Sequence, residues 1–286
     1  MDTQLIRWPS PAKLNLFLHI LGRREDGYHR LQSLFQLLDQ GDSLQFEVTD
    51  DSQIQLVTPI PGVPDEDNLV VKAARLLQKH GKGTKGCRIY LDKKLPMGGG
   101  IGGGSSNAAT TLLALDHLWQ LDLGIDKLAE IGLRLGADVP VFVRGHTAFA
   151  EGVGEHLYPV SQPGLWYLVV SPGIHVATKD IFTHPDLPRN TPPLRWQDYQ
   201  FESTHNDCQE LVCKLHPKVA KILQWLLEYA PSRMTGTGSC LFAVFPDKVQ
   251  AERLLAALPE GCRGFVAQGV NYSPVHSLLE RLKRLE

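Results

Sequence analysis

The sequence lacks the long apolar runs that a membrane span or a secretory signal requires. Its first eight residues, Met1–Trp8, contain no apolar stretch of signal-peptide length. The longest apolar runs, such as Leu165–Val170, have the length of buried strands. We therefore expect a cytoplasmic protein that has no membrane partner.

Cysteine is also scarce, with five residues in a chain of 286. Their number is odd and they show no paired-ligand spacing, so free thiols in a reducing cytoplasm are the simplest explanation. Cys208 and Cys213 are close in sequence, which fits either two positions on one helix or a metal site, and we favour the helix. The cysteines thus predict neither a disulfide framework nor a metal centre.

Neither sign of charge is in excess. The chain has 29 basic and 31 acidic residues and a formal net charge of −2. The one short run of like charge, Arg281–Arg284, is explained by a solvated helix end. A basic face for nucleic acid is therefore disfavoured, and a polyanionic ligand would have to be held by backbone dipoles rather than by bulk charge.

Glycine, in contrast, is concentrated in one segment: six of the 26 glycines lie within Gly98–Gly104. The segment follows a predicted strand, Cys87–Leu91, and precedes a predicted helix, Ala108–Trp119. Without side chains the backbone can turn sharply, so its N–H groups and the positive end of the helix dipole converge on one place. This order of strand, glycine loop and helix is typical of phosphate binding.

A flexible linker is the alternative for this glycine loop, but a linker has no reason to lie between two periodic apolar segments. The loop also differs from the two common nucleotide motifs. It does not end in Gly-Lys-Ser/Thr, so no loop lysine can reach a phosphate, and it lacks the Rossmann spacing and its ribose-binding acid. We therefore predict phosphate binding of a different kind.

The first half of the chain predicts an α+β domain of residues 1–157. Turn residues, including Asp26-Gly27 and Gly41-Asp42, separate runs of alternating apolar residues. The predicted strands are Leu14–Leu18, Leu31–Leu38, Leu44–Val48, Ile54–Val57, Val139–Val143 and Thr147–Ala150. Further helices are predicted after Asn68 and over Asp126–Leu135.

The second half, residues 158–286, predicts the order strand, helix, strand, strand, helix, strand, which is ferredoxin-like. A proline-rich loop that includes Pro185–Pro193 follows its first strand. This loop is too long for a simple connector, so it is either mobile or part of a site. The whole chain is therefore predicted to be α+β with two domains.

Three further segments carry polar residues in unusual places. Lys13 and Asn15 share one face of an apolar strand, where an ammonium is costly unless it is paired, although a lysine on an edge strand can reach solvent. Asp138 follows a helix end rather than preceding a helix, and a surface turn is the alternative explanation. A second glycine-rich turn, Ser232–Cys240, is weak evidence alone because hairpin turns favour glycine.

Taken together, Lys13, the glycine loop and Asp138 resemble the pattern of the GHMP kinase superfamily, which includes galactokinase, homoserine kinase and mevalonate kinase. The resemblance runs from Pro9 to Ser273-Pro274, essentially the whole chain. It implies an N-terminal domain with a ribosomal-protein-like β-α-β fold, a ferredoxin-like C-terminal domain and an active site in the cleft between them. It also implies ATP and Mg²⁺ as cofactors.

The same resemblance assigns the reacting groups and the nucleotide site. Asp138 would be the general base, and Lys13, in salt-bridging contact with it, would orient the hydroxyl and offset charge on the phosphate. A seryl hydroxyl of the loop could help to place Mg²⁺. A helix cap alone would also explain Asn68. The residues implied for ATP are Asn68, Pro96, Met97, Gly98, Gly99, Gly100, Ile101, Gly102, Gly103, Gly104, Ser105 and Ser106.

One member of the family, a kinase of the non-mevalonate route to isoprenoid precursors, is similar at Glu25–His29 and at Leu31 to Gln36. Its substrate is a cytidine-diphosphate-linked polyol. Tyr28 would stack on the cytosine and His29 would hydrogen-bond its edge, although a capped turn would also explain both residues. The residues implied for this small-molecule substrate are Asn15, Tyr28, His29, Phe35, Thr178, Phe182 and Gly236.

Two other functions stay open. A GHMP kinase for homoserine or mevalonate is disfavoured by the segment Asp26–His29, and activity on the cytidylyl substrate alone would decide. A non-catalytic nucleotide sensor or an RNA-binding protein is disfavoured by the presence of both Lys13 and Asp138 and by the near-neutral charge. The sequence leaves the oligomeric state open, a homodimer included.

Overall fold

The computed structural model of the chain describes residues 5–81 and 85–285. The strands in these ranges are β1 (Trp8–Arg23), β2 (His29–Thr49), β3 (Ile54–Leu56), β4 (Gly86–Asp92), β5 (Ala148–Glu151), β6 (His156–Pro159), β7 (Trp166–Ser171), β8 (Ser232–Met234), β9 (Leu241–Phe245) and β10 (Arg263–Val270). The α-helices are α1 (Leu69–Gln78), α2 (Gly103–Leu118), α3 (Ile125–Leu133), α4 (Val139–Arg144), α5 (Thr178–Thr183), α6 (Gln209–Leu215), α7 (Pro217–Leu227), α8 (Lys248–Ala256) and α9 (Pro274–Lys283).

The two longest strands, β1 and β2, form an antiparallel hairpin around the predicted turn at Asp26-Gly27. The two strands predicted on either side of Gly41-Asp42 are one continuous strand, so the turn predicted there is wrong. Gly41 is required for another reason. A Cβ atom at this position would lie 1.9 Å from the Ser10 carbonyl oxygen of β1, so only glycine permits the two backbones to approach this closely.

The remaining strands of the first half extend this hairpin into a sheet. Strands β4 and β5 pair antiparallel with β2, β3 pairs parallel with β4, and β6 pairs antiparallel with β5. Helices α1 to α4 bury their apolar residues in one core with this sheet. The first half is therefore a sheet covered by helices, as the α+β prediction requires.

The segment predicted as a strand at Val139–Val143 is instead the short helix α4. All five of these residues are buried. A short apolar run that is buried on every side has no periodicity that separates a strand from a helix, and Pro140 fits a first helical turn. The correction moves Asp138 from the start of a strand to the N-cap position of a helix.

Two other helix starts bear on the site. The side chain of Asn68 accepts a hydrogen bond from the Val70 N–H at 3.1 Å, which confirms the predicted helix cap. Helix α2 begins at Gly103 rather than at the predicted Ala108. The last glycines of the loop therefore belong to the first turn of α2, where backbone N–H groups lack intrahelical partners.

The second half has the predicted ferredoxin-like order. Its strands pair antiparallel in the spatial order β10, β7, β9, β8. Helices α6 and α7 lie between β7 and β8 in sequence, and α8 lies between β9 and β10. Asp247 caps α8 by accepting a hydrogen bond from the Gln250 N–H at 3.0 Å.

The two halves are joined more closely than two separate domains would be. Strand β10 pairs with β2, so the sheet is continuous from one half to the other. A shared core lies between them and contains Phe17 of β1 and Phe242 of β9. Helix α9 returns to the first half, where Val275 and Leu279 are buried in its core. The division at residues 157 and 158 stays a prediction.

All five cysteines are free thiols. Within residues 5–81 and 85–285, no three or more His, Cys, Asp or Glu residues are grouped so as to hold a metal ion. The same ranges contain no helix with the length and apolar character needed to cross a membrane.

Candidate active site

The glycine loop forms one wall of a cavity of about 340 Å³. The cavity is also lined by Ile60, Val63 and Asn68, which precede α1. Gly100 has a φ of +75°, and a Cβ there would lie 2.4 Å from the Thr235 carbonyl oxygen, so the position excludes a side chain. The start of α2 opens on the same cavity, so its N–H groups are available to an anion.

All the residues predicted for the nucleotide line this cavity except Ser106. Asn68 and the residues from Pro96 to Ser105 form its wall. Ser106 is fully buried, and its hydroxyl accepts a hydrogen bond from Ser10 Oγ at 2.9 Å. Ser105 is therefore the loop serine that reaches the cavity, while Ser106 helps to fix α2 to β1.

Lys13 is buried in β1, with 2% of its surface exposed. Its ammonium nevertheless has a partner for each of its three donors. Nζ donates to Asn15 Oδ1 at 2.5 Å and to the Gly100 carbonyl oxygen at 3.2 Å. It also lies 3.3 Å from Asp138 Oδ2, so the predicted contact of Lys13 with Asp138 is present. These contacts, with the Phe35 ring 5.1 Å from Nζ, offset the cost of burying the charge.

Asn15 is oriented by its own hydrogen bonds. Its Nδ2 donates to Ser33 Oγ at 2.8 Å, and Ser33 Oγ donates to the Phe17 carbonyl oxygen at 2.6 Å. Because the amide nitrogen is fixed in this way, Oδ1 is turned towards Lys13. The polar face predicted for β1 is therefore a connected set of hydrogen bonds.

Asp138 occupies the N-cap position of α4, but its side chain makes no capping hydrogen bond. An N-cap aspartate normally accepts from a backbone N–H of the first turn. Here the carboxylate faces Lys13 instead, with 37% of the side chain exposed. A carboxylate that is held by an ammonium and still open to a ligand can accept a proton from that ligand.

A second cavity, of about 280 Å³, has Lys13 and Asp138 in its wall. Gly100 and Ser105 line this cavity as well as the first one, so the two meet at the glycine loop. We call them the nucleotide cavity and the acceptor cavity, after the ligands that the sequence analysis predicts for their residues. The residues predicted for the substrate that line the acceptor cavity are Asn15, Phe35, Thr178, Phe182 and Gly236.

Neither Tyr28 nor His29 belongs to the residues that line the acceptor cavity. His29 is buried, and its ring stacks on that of Phe182 with the centroids 5.2 Å apart. Burial, with the neighbouring Arg189 guanidinium, lowers the pKa of His29, so its imidazole is neutral near pH 7. Tyr28, in the hairpin turn, is 65% exposed. The structure thus brings His29 to the predicted site and leaves Tyr28 open to solvent.

The second glycine-rich turn docks on the first. The Cys240 N–H donates to the Gly99 carbonyl oxygen at 3.1 Å, and Thr235 Oγ1 donates to that of Gly100 at 3.4 Å. Thr237 Oγ1 lies 3.0 Å from Thr178 Oγ1 at the start of α5. A feature that is weak evidence in the sequence is therefore a structural partner of the glycine loop.

Comparison with known protein families agrees with this geometry. The N-terminal domain of the GHMP kinases matches residues 68–146, which contain the glycine loop and Asp138, and the C-terminal part of the GHMP kinases matches residues 193–264. A 4-diphosphocytidyl-2-C-methyl-D-erythritol kinase from Pseudoalteromonas atlantica is 64% identical over 99% of this chain and 99% of the relative. The chain belongs to the GHMP kinase family.

Other GHMP kinases match over similar lengths. A relative of the same name from Shewanella woodyi is 58% identical over 99% of this chain and 100% of the relative. One from Tolumonas auensis is 55% identical over 96% of each. Membership of this family makes the chain a small-molecule kinase, for which ATP is the phosphoryl donor.

Solved structures of GHMP kinases have the same fold. A crystal structure of 4-(cytidine 5'-diphospho)-2C-methyl-D-erythritol kinase matches with a TM-score of 0.82 at 31% identity, over 93% of this chain and 100% of that one. Methanococcus jannaschii mevalonate kinase matches with a TM-score of 0.65 at 15% identity, over 95% of this chain and 100% of that one, which is a likeness in fold alone. The predicted fold class is confirmed.

The glycine loop is also held by residues that the sequence pattern does not reveal. Asp42 is buried and accepts hydrogen bonds from the Lys94 and Leu95 N–H groups, both at 2.7 Å. It also pairs with Lys93 Nζ at 2.5 Å, and Lys93 lines the nucleotide cavity. Because Asp42 was assigned to a turn, nothing in the local pattern linked it to a lysine 51 residues later.

Asn206 was missed for the same reason. Its Nδ2 donates to the carbonyl oxygens of Met234 and Gly236, both at 2.8 Å, and so holds the second glycine-rich turn. An asparagine followed by an aspartate in a loop is typical of any turn. Its function depends on a segment that lies about 30 residues further along the chain.

Proposed function

We propose that this chain transfers the γ-phosphoryl group of ATP to the 2-hydroxyl of 4-diphosphocytidyl-2-C-methyl-D-erythritol, in the methylerythritol phosphate route to isopentenyl diphosphate. Relatives that are 55–64% identical carry the name of this kinase. The observation that carries the proposal is the junction of the two cavities at Gly100 and Ser105. Lys13 and Asp138 lie in the acceptor wall at this junction, where phosphate and hydroxyl would meet.

In this proposal Asp138 accepts the proton of the 2-hydroxyl while the alcohol oxygen attacks the γ-phosphorus. A bond forms between these two atoms, the bond from the γ-phosphorus to the β–γ bridging oxygen breaks, and ADP leaves. Lys13 contacts both Asp138 and the Gly100 carbonyl, so its ammonium is placed to orient the hydroxyl and offset charge on the transferred group. The protein then contributes positioning and charge neutralisation.

The triphosphate would be held by backbone rather than by side chains. The loop Gly98–Gly104 and the first turn of α2 line the nucleotide cavity, and their N–H groups would donate to phosphate oxygens. Asn68 caps α1 and also lines this cavity, where its side chain would contact the adenine or its ribose. This arrangement needs no loop lysine, in agreement with the sequence.

Mg²⁺ bound with ATP would neutralise charge on the phosphates. Ser105 fits as its protein ligand, because this residue lies in the walls of both cavities, whereas the hydroxyl of Ser106 is bonded to Ser10. A site with so few protein ligands suits Mg²⁺, which usually keeps several waters and binds substrate phosphates.

The cytidine end of the acceptor would bind where the hairpin turn meets α5. His29 would hydrogen-bond the edge of the base, and Tyr28 and Phe182 would supply aromatic faces. Thr178, Asn15, Phe35 and Gly236 would contact the rest of the molecule.

The wider properties that we propose follow from this chemistry. The partner is a small-molecule substrate, with no nucleic acid and no membrane, and the protein acts in the cytoplasm. The N-terminal domain, residues 1–157, would bind ATP, and the C-terminal domain, residues 158–286, would contribute to substrate binding. A homodimer stays open.

The test is an ADP-release assay with 4-diphosphocytidyl-2-C-methyl-D-erythritol, using wild-type protein and Asp138→Asn. The wild type should turn over this acceptor and neither homoserine nor mevalonate. The variant should lose at least about 10²-fold in kcat, because an amide cannot accept the hydroxyl proton.

Asp126→Asn is the matched control. Asp126 is 90% exposed and pairs with Arg144 at 2.9 Å, outside the two cavities, so its variant should keep the wild-type kcat. Near-full activity of Asp138→Asn would show that the base is another group. Turnover of homoserine or mevalonate instead would overturn the acceptor, and ATP binding without turnover of any alcohol would point to a nucleotide sensor.

A further inference from the structure

The proline-rich loop is predicted from the sequence to be either mobile or part of a site. In the structure it is fixed across the hairpin of β1 and β2. The Thr191 N–H donates to the Ile20 carbonyl oxygen at 3.2 Å, and its hydroxyl donates to the buried Asp207 carboxylate at 2.9 Å. Leu194 exchanges two backbone hydrogen bonds, at 2.9 and 3.0 Å, with the side chain of Gln32 in β2. We call residues 185–194 the strap.

Arg189 connects the strap to His29. Its guanidinium donates to the carbonyl oxygens of Leu187, Phe182 and His184 at distances of 2.9, 3.0 and 2.7 Å. These three bonds fix the side chain in one place. A fourth donor, Nε, lies 3.0 Å from His29 Nε2.

This contact determines where the imidazole proton lies. A guanidinium has donors only, so His29 Nε2 must be the acceptor and carries no hydrogen. In a neutral imidazole the other nitrogen then carries the proton, and the lowered pKa of His29 keeps the ring neutral near pH 7. The contact with Arg189 uses Nε2 and leaves the Nδ1–H as the other polar group of the ring. His29 therefore offers one donor, at Nδ1, to a ligand.

We propose that Arg189 is a positioning residue that fixes His29 as the Nδ1–H tautomer and thereby makes the acceptor site select cytosine over uracil. The proposal rests on the function proposed above. N3 of cytosine is an acceptor, whereas N3 of uracil carries a hydrogen. A fixed Nδ1–H donates to cytosine N3, but it meets a second donor, the N3–H, in uracil. A binding site that leaves a buried donor unpaired in this way strongly rejects the wrong ligand.

The tautomer is tested directly on the ligand-free protein. Two-bond ¹H–¹⁵N spectra near pH 7 distinguish protonated from unprotonated imidazole nitrogens, and His29→Asn identifies the signals of His29. We expect a protonated Nδ1 and an unprotonated Nε2 in the wild type. In Arg189→Gln the side-chain carbonyl can accept instead, so the protonated Nε2 form should appear. A protonated Nε2 in the wild type would overturn the proposal.

Kinetics test the consequence. In Arg189→Gln the KM for the cytidylyl acceptor should rise about tenfold, the loss expected for one hydrogen bond, while kcat and the KM for ATP stay within about threefold. The ratio of kcat/KM for the cytidylyl acceptor to that for its uridylyl analogue should fall at least about tenfold. If Arg189 had a purely structural role, its loss would lower kcat/KM equally for the cytidylyl and the uridylyl acceptor. That result would overturn the proposal.

Arg195→Gln is the control, because Arg195 is 81% exposed and pairs only across one turn with Asp198 at 2.7 Å. It should leave both the spectra and the acceptor ratio unchanged. If Arg189→Gln does not fold, Arg189→Lys is the second variant. It keeps a donor, so the Nδ1–H form of His29 and the preference for cytosine should both persist. If the preference for cytosine is lost while His29 keeps the Nδ1–H form, the proposal is overturned. If the wild type phosphorylates neither acceptor, the proposed function is wrong. The role of Arg189 is then still tested by the tautomer of His29 and by calorimetric comparison of CDP and UDP binding.

Discussion

The two cavities that meet at Gly100 and Ser105 differ in the groups that line them. The nucleotide cavity is lined largely by the backbone of one continuous segment, Pro96–Ser105. The acceptor cavity is lined by side chains from both halves of the chain, from Lys13 to Thr237. We therefore expect the first cavity to be damaged by atoms that a substitution adds, and the second by groups that a substitution removes.

The acceptor cavity should show the largest effect, at Lys13. Lys13→Met keeps the apolar stem and removes the ammonium that contacts Asp138 and the Gly100 carbonyl. We expect kcat/KM to fall about 10³-fold, as when a preorganised charge at a reacting group is lost. The fold should persist, because the substitution removes a buried charge. Lys127→Met, on an exposed helix face, is the control and should keep wild-type kcat/KM. A loss below tenfold would contradict the assigned role.

The nucleotide cavity should be sensitive to a single added carbon. In Gly100→Ala the new Cβ would meet the Thr235 carbonyl oxygen at 2.4 Å, at a φ of +75°. We expect the KM for ATP to rise by about 10- to 100-fold, since the loop must shift away from the second turn. Gly124→Ala separates contact from strain, because Gly124 has a φ of +79° and nothing within 4 Å of its added Cβ. A wild-type KM for ATP in Gly100→Ala would show that the loop tolerates side chains.

A buried histidine of β1, His19, should make the stability of the protein depend on pH. The pKa of His19 in β1 is lowered from its ordinary 6.5 to about 4, mainly by burial and also by the nearby His205 and Arg233, while Asp207 opposes the shift. The unfolded chain takes up this proton near pH 6.5 and the folded chain only near pH 4, so the stability present above pH 6.5 is lost as the pH falls between these values.

We expect this histidine to lower the free energy of unfolding by about 2 kcal/mol between pH 7 and pH 5, as measured by urea denaturation. His19→Gln keeps an acceptor for the His205 N–H, which lies 3.4 Å from His19 Nε2. This variant should show a shallower loss between the same two pH values. An unchanged loss would mean that other groups cause the pH dependence.

The smallest effect separates a helix cap from a ligand contact. Asn68→Ala and Asp247→Ala each remove a side chain that caps a helix, at α1 and α8, so each should cost about 1 kcal/mol of unfolding free energy. Only Asn68 lines the nucleotide cavity, so only its variant should raise the KM for ATP, by a fewfold. If the two variants have equal KM values for ATP, Asn68 acts only as a helix cap.

The features that could be predicted from the sequence are those that depend on neighbouring residues of the chain. The glycine loop, the Asn68 cap and the ferredoxin-like order were predictable because each depends on residues close together in sequence. The pattern failed at Gly41-Asp42 and at Val139–Val143, where close approach of another strand and burial on every side override local signals. Arg189 could not be found at all, because its partner His29 lies 160 residues away.

The sequence alone predicted a phosphate site at residues 98–104, because the N–H groups of a glycine loop and of the following helix start converge through local backbone geometry. Only the tertiary structure decided which side chains lie beside that loop. It brings Asp138 to Lys13 across 125 positions of the chain, and the Arg189 donor to His29. Such pairs form where packed strands and helices bring distant segments together, and no short window of sequence contains that information.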